Sequence, residues 1–129
     1  MPNLNNLIIN FQNGINLKKR FIIIPHSIFC MRIINLLYKE NLISSFFYKK
    51  VNNRKYLIVF LKYVDGCSII KKIERISKPG KNIYLSYNTL NKNYSHNSFF
   101  ILSTSLGILS ILDTLTKYVG GEALLRIDI

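Results

Sequence analysis

Residues 99–122 read FFILSTSLGILSILDTLTKYVGGE, and the changes of pattern inside that run decide the fold class. Phe99 to Leu102 is a short apolar run that predicts a strand. Ser103-Thr104-Ser105-Leu106-Gly107 supplies three hydroxyls and a glycine, and it predicts a loop. Ile108, Ile111, Leu112 and Leu115 return at helical spacing. They predict a helix from Ile108 to Val119, stopped by Gly120-Gly121. Ala123 to Ile129 then reads as a final strand.

Working back from that run, Asn88 to Asn97 is polar and reads as a loop with room for one helical turn. Asn82 to Tyr87 alternates, with Ile83, Leu85 and Tyr87 on one face and Tyr84 and Ser86 on the other. Ser68 to Ile76 predicts another strand, broken by Lys78-Pro79-Gly80. Asp65-Gly66 is a turn signal and marks the expected boundary between two small lobes, residues 1–65 and 66–129. In the first lobe, Leu4, Leu7, Ile8 and Phe11 predict a short amphipathic helix ending near Gly14. Leu17 to Ile24 predicts a strand stopping at Pro25, and Ser27 is placed to cap a second helix. Phe29, Ile33, Ile34, Leu37 and Tyr38 mark the apolar face of that helix. Strands are expected over Ile43–Lys49 and Lys55–Tyr63, turning at Asn52-Asn53. The chain is therefore expected to be α+β, an α-β-α-β-β lobe followed by an antiparallel sheet with one helix.

Charge narrows the function. Among 129 residues, 18 are Lys or Arg and 6 are Asp or Glu, a net charge of +12. A compact fold with that excess repels itself, and a polyanion relieves the repulsion. Ile, Asn, Lys and Tyr are abundant, and their codons are AT-rich, as in mitochondrial or plastid genomes. The opening MPNLNNLIINF has neither a basic segment before an apolar run nor a cleavage site, so no secretory signal is expected. The longest apolar stretch, Phe99 to Leu112, is interrupted by Ser and Gly and is too short to span a bilayer, so no membrane partner is expected.

Catalytic constellations are not legible. His26 and Cys30 sit four apart, but a zinc site would need Cys67 and His96 to converge on them. No metal or cofactor is expected, and two cysteines make no disulfide framework. The Ser103-Thr104-Ser105 run lacks the glycines of a nucleophile elbow. Asp113, Glu122 and Asp128 are isolated, and no phosphate-binding glycine motif occurs. Neither an enzyme nor a small-molecule substrate is expected.

RNA binding fits better. Basic residues cluster as Lys18-Lys19-Arg20, Lys49-Lys50, Arg54-Lys55 and Lys71-Lys72, followed by Arg75, Lys78 and Lys81. Such clusters follow a phosphate backbone and give affinity without address. Specific reading needs short polar groups close to a groove or loop. Ser103, Thr104 and Ser105 offer donors and acceptors, and Gly107 permits close approach.

Several ordered motifs carry a resemblance. Lys72-Ile73-Glu74-Arg75-Ile76-Ser77-Lys78-Pro79-Gly80 with Ile83-Tyr84 resembles the R-[IV]-S-[KR]-P-G-x-R-[IV]-Y segment of the small-subunit ribosomal protein S-eight family. Ile101 to Leu109 resembles that family's [IV]-[LV]-S-T-S-x-G-[VIL]-[LM] motif. Gly120-Gly121-Glu122, Leu61-Lys62-Tyr63 and Pro25-x-Ser27 match further family motifs, and the likeness is strongest over residues 61–129. The resemblance implies a structural subunit, not an enzyme. It would bind the central domain of small-subunit rRNA and help assemble the platform, with the fifth small-subunit protein as a neighbour. It implies RNA contact by Ser103, Thr104, Ser105 and Gly107, with Lys78, Pro79, Gly80 and Tyr84 supporting that surface. Lys71, Lys72 and Arg75 would add attraction. Glu122 would orient the loop, since a carboxylate is repelled by phosphates. Together with the codon bias, it implies a mitochondrial ribosome in the matrix, or alternatively a plastid one. A free RNA-processing or RNA-chaperone factor with the same fold is the alternative. The sequence departs from the family where R-x-R-N becomes Asn10-Phe11-Gln12-Asn13 and where a glycine-rich segment becomes His96-Asn97-Ser98. It departs again where Leu115 replaces a basic residue, and the apolar helix expected there suggests an added protein neighbour.

Overall fold

The structure is a computed structural model that describes residues 2–93 and 98–129. His96 and Asn97 lie outside the described residues. Contacts divide the chain into two units, the first running to Lys72 and the second Ile73–Ile129.

The first unit has the expected α-β-α-β-β order: α1 Pro2–Asn16, β1 Phe21–Pro25, α2 Ile28–Lys39, β2 Ile43–Val51 and β3 Arg54–Leu61. The strands pair antiparallel in the order β1-β3-β2. One sheet face buries Ile22, Ile24, Leu57 and Val59. The helices bury Leu4, Leu7 and Phe11 from α1, and Cys30, Ile33, Ile34 and Leu37 from α2. Helix α1 packs on β1 and α2, and α2 packs on β2.

Cys30 is fully buried on α2 beside the expected apolar residues, while Tyr38 is exposed and its ring meets Phe46 edge-on at 5.6 Å. Ser27 caps α2 as expected, its hydroxyl accepting from the Cys30 N–H at 3.1 Å. Strand β1 starts at Phe21 and not at Leu17, because α1 needs the intervening residues to close. The Leu17 N–H donates to the Asn13 carbonyl and the Lys19 N–H to the Gly14 carbonyl, with Lys18 at a φ of 53°. Pro25 is the last residue of β1 and not its stop, which an edge strand tolerates.

Asn52 and Asn53 both take positive φ, 51° and 62°, and join β2 to β3 with Val51 opposite Arg54. That is the tight turn whose twist matches a hairpin. Asp65-Gly66 makes a similar turn between β4, Tyr63–Val64, and β5, Cys67–Ser68, inside the first unit. The Tyr63 hydroxyl donates to the Lys19 carbonyl and fastens this hairpin to the segment leading into β1. Burial raises the Tyr63 pKa above that of a free phenol.

The second unit contains β6 Lys72–Arg75 (whose first residue belongs to the first unit), β7 Tyr84–Leu85, α3 Tyr87–Asn93, β8 Ser98–Thr104, β9 Gly107–Ser110, α4 Ile111–Thr116 and β10 Gly121–Asp128. The sheet order is β6-β10-β8-β9, and β7 also pairs with β10. Leu90, Leu102 and Ile111 form a buried cluster, with Leu85, Phe100 and Leu115 packed against it.

Four sequence expectations change here. The strand expected over Ser68–Ile76 splits into β5 and β6, with Ile70 buried between them. The strand expected over Asn82–Tyr87 shrinks to β7, because Ser86 turns the chain into α3. Its hydroxyl accepts from the Thr89 N–H at 3.3 Å, and Leu90 anchors the new helix. The second unit thus carries two helices where one was expected. The helix expected from Ile108 starts at Ile111, because Gly107–Ser110 pairs with β8 and Ser110 is the true cap. The Ser110 hydroxyl accepts from the Asp113 N–H at 3.3 Å. The apolar residues of that stretch mostly face inward: Ile111 is buried and Leu115 packs beside it, leaving Leu112 exposed. This removes the sequence argument for an added neighbour on that helix.

Replacing Ser27 by Ala should destabilise the protein by about 1 kcal/mol, while Ser27→Asp should leave it nearly unchanged, since either oxygen satisfies the orphan N–H. Urea unfolding with an unchanged slope would measure both.

Candidate nucleic-acid interface

The hydroxyl-rich run is the tip of the β8–β9 hairpin. Ser103 and Thr104 belong to β8, Ser105 and Leu106 make the bend, and Thr104 lies opposite Gly107. No positive φ occurs at Ser105 or Leu106; the reversal is completed at Gly107, whose φ is 113°. An L side chain disfavours that conformation, so the glycine serves the backbone of the turn. The Thr104 hydroxyl fastens the tip. It accepts from the Leu106 N–H at 3.1 Å and donates to the Gly107 carbonyl at 2.9 Å. The Ser103 and Ser105 hydroxyls make no hydrogen bond among the described residues. Ser105 and Leu106 are exposed and Ser103 is half-buried.

Strand β10 supports this tip from the side. A Cβ on Gly121 would lie 2.4 Å from the Ser103 carbonyl oxygen and 2.9 Å from the Thr104 Cγ2, so only glycine lets β10 pass so close. The next residue, Glu122, lies opposite Ser103 on β8 and opposite Tyr84 on β7. Directly opposed residues of antiparallel strands share a face. Ser103, Glu122 and Tyr84 therefore form one row across three strands, and Tyr84 is 68% exposed.

Between β6 and β7 the chain makes a turn at Lys78-Pro79-Gly80-Lys81. Lys78 and Lys81 exchange backbone hydrogen bonds at 3.1 and 2.9 Å. Proline in second place and Gly80 at a φ of 80° fit a type II turn. Its base is clasped by Ser77, which is buried. The Ser77 hydroxyl accepts from the Ile83 N–H at 2.9 Å and donates to the Ile83 carbonyl at 3.3 Å. Sequence reasoning gave Ser77 no role; a serine just before a Pro-Gly turn was the available signal.

The structure does not put every basic candidate beside that row. Lys78, Lys81 and Arg75 line a groove of about 360 Å³ with Arg126, Phe100 and Ile83. Phe100 lies opposite Arg126 and Ile83 precedes Tyr84, so strand alternation puts this groove on the face away from Ser103 and Tyr84. Arg126 is a basic residue that sequence reasoning missed; its guanidinium Nε lies 3.2 Å from Asp128. The Arg75 Nε donates to the Ser77 carbonyl at 2.6 Å. Lys71 is exposed at the end of the first unit, and exposed Lys72 opens β6. In the first unit, Lys49, Lys50, Arg54 and Lys55 crowd the tip of the β2–β3 hairpin, and all four are exposed.

Among the described residues, no group of three or more His, Cys, Asp or Glu side chains is placed to hold a metal, and no helix is long and apolar enough to cross a membrane. What the arrangement can do is present unoccupied hydroxyls and an exposed phenol to a folded polyanion.

Comparison with known proteins gives a consistent set of relatives. The family described as ribosomal protein S8 matches residues 3–127. A protein of Ehrlichia chaffeensis named small ribosomal subunit protein uS8 is 37% identical over 120 residues, covering 92% of this chain and 91% of that protein. One of Acanthamoeba castellanii, named small ribosomal subunit protein uS8m, is 34% identical over 130 residues, covering 99% of this chain and all of its own. A Rickettsia rickettsii protein named uS8 is 32% identical over 126 residues, covering 97% and 96%.

Gly107→Ala should destabilise the chain by about 1 kcal/mol or more, because it forces an L residue into a disfavoured φ. The shift of the urea midpoint checks this. Amide exchange at Leu106 should speed up with it as the tip loosens.

Proposed function

Since the chain belongs to the ribosomal protein S8 family, we propose that it is a structural constituent of a small ribosomal subunit that binds the central domain of the rRNA and helps assemble the platform. The observation that carries this reading is the β8–β9 tip, which offers the Ser103 and Ser105 hydroxyls, beside the Ser103–Glu122–Tyr84 row, on a chain of net charge +12. The hydroxyls and Tyr84 read the shape and base edges of folded RNA. Thr104 and Gly107 shape the tip and bring its backbone close to the ligand. Glu122, opposite Ser103 and Tyr84 in the row, orients the loop. Pro79 and Gly80 project Lys78 and Lys81. Those two lysines, with Lys71, Lys72 and Arg75, supply attraction to phosphates that carries no sequence information. On this reading residues 66–129 are the rRNA-recognition lobe and residues 1–65 the supporting lobe, and the fifth small-subunit protein is a neighbour. The Acanthamoeba relative named uS8m and the AT-rich coding bias support a mitochondrial ribosome, although relatives from Ehrlichia and Rickettsia are equally similar.

Two measurements test this. Ser103→Ala with Ser105→Ala should weaken binding to the cognate rRNA helix by roughly tenfold or more while random duplex is bound as before. An equal fall for both ligands would remove the recognition role. Replacing Lys78 and Lys81 by Gln should lower affinity for both RNAs and flatten the salt dependence by about one unit per lost phosphate contact. On a gradient at moderate salt, the protein should co-migrate stoichiometrically with the small subunit; dissociation there would favour a free RNA-processing or chaperone factor.

A further inference from the structure

We propose that the open edge of β1 accepts an extended segment of a partner protein as a fourth strand, with apolar residues at alternate positions and acidic groups at its carboxyl end. Strand β1 ends the sheet, with β3 on one side and, among the described residues, no strand on the other. The Arg20 carbonyl accepts from the Leu61 N–H at 3.0 Å and the His26 N–H donates to the Lys55 carbonyl at 3.0 Å. Antiparallel alternation therefore turns Arg20, Ile22, Ile24 and His26 toward β3. The backbone N–H and C=O groups of Phe21 and Ile23 face the open edge. Such a row is a template for an added strand.

The surroundings of that edge select the occupant. A groove of about 550 Å³ runs along it, lined by Asn10 and Asn13 of α1 and by Lys19, Arg20, Phe21 and Ile23. It has two cations and no acid, so it complements a carboxylate. The Tyr63 hydroxyl holds the Lys19 carbonyl and so fixes the backbone that carries these cations. The outward face beside the edge is apolar. Phe21, Ile23 and Phe47 are 44%, 51% and 47% exposed, and Phe60 lies between the two outer rings at 5.7 and 5.8 Å. Every second side chain of an added strand would lie on this surface. Pro25 offers no N–H, which confines pairing to Phe21–Ile23. An RNA strand has no alternating N–H and C=O row to match this edge, and a second copy would bring its own +12 to the contact.

The test uses the full chain and a synthetic peptide of alternating Val and Thr ending in Asp-Glu. Binding should slow amide exchange at Phe21 and Ile23 about tenfold and leave Ile22 and Ile24 unchanged. A version ending in Asn-Gln should bind about tenfold more weakly. Lys19→Glu with Arg20→Glu should reverse the preference, so that a Lys-Lys-ended peptide binds and the acidic one does not. Ile23→Pro should abolish binding by removing the edge N–H; the charge-reversal pair decides the matter if that variant does not fold. Protection elsewhere or none, stronger protection of the same amides by a uridine oligonucleotide, or coverage of them by self-association without peptide would each overturn the proposal.

Discussion

Eighteen basic side chains against six acidic ones leave at least twelve cations with no acidic side chain of their own to pair with. Everything else in the structure accommodates that imbalance. The interior cannot use charge pairs as a scaffold, so it is built almost wholly from Ile, Leu, Val and Phe. The polar side chains buried among the described residues are three hydroxyls, Ser77, Ser110 and Thr114, and each is hydrogen-bonded to nearby backbone. Many of the cations lie outward at hairpin tips and turns, such as Lys49, Lys50, Arg54, Lys55, Lys78 and Lys81, where water screens them.

With charge unavailable, short hydroxyl side chains do most of the local shaping. Ser27 and Ser110 start helices, Ser77 closes the Lys78–Lys81 turn, and Thr104 closes the β8–β9 tip. This separates two groups that look alike in the sequence. Thr104 uses its oxygen within the protein, whereas Ser103 and Ser105 keep theirs available. The backbone requirement at Gly107 and the close approach at Gly121 belong to the first group: they hold the tip in place so that its neighbours can act.

Much of the first unit was legible because its signals are local. Ser27 before an apolar face, Asn52-Asn53 between two β-rich runs and Asp65-Gly66 each act within a few residues. The second unit was harder to read. Ile108-Leu109-Ser110 fits a helical pattern and also a strand, and only pairing with β8 decides between them. Leu90 sits alone in a polar stretch, so the burial that makes α3 a helix is invisible without Leu102 and Ile111. The candidate residues were found in the sequence by motif, but their grouping was not. That Ser103, Glu122 and Tyr84 share a row, and that Lys78 sits with Arg126 on the other face, follows from strand register, which spacing along the chain does not contain.

The hydroxyl clasp within the β8–β9 hairpin has a thermodynamic consequence. A loop that ordered only on contact would lose its conformational freedom at the moment of binding, and that loss would subtract from affinity. Here Thr104 and the flanking ladder have already removed that freedom in the unbound chain. Encounter with a rigid polyanion would then be a docking of two preorganised shapes, its rate set by electrostatic approach and not by rearrangement.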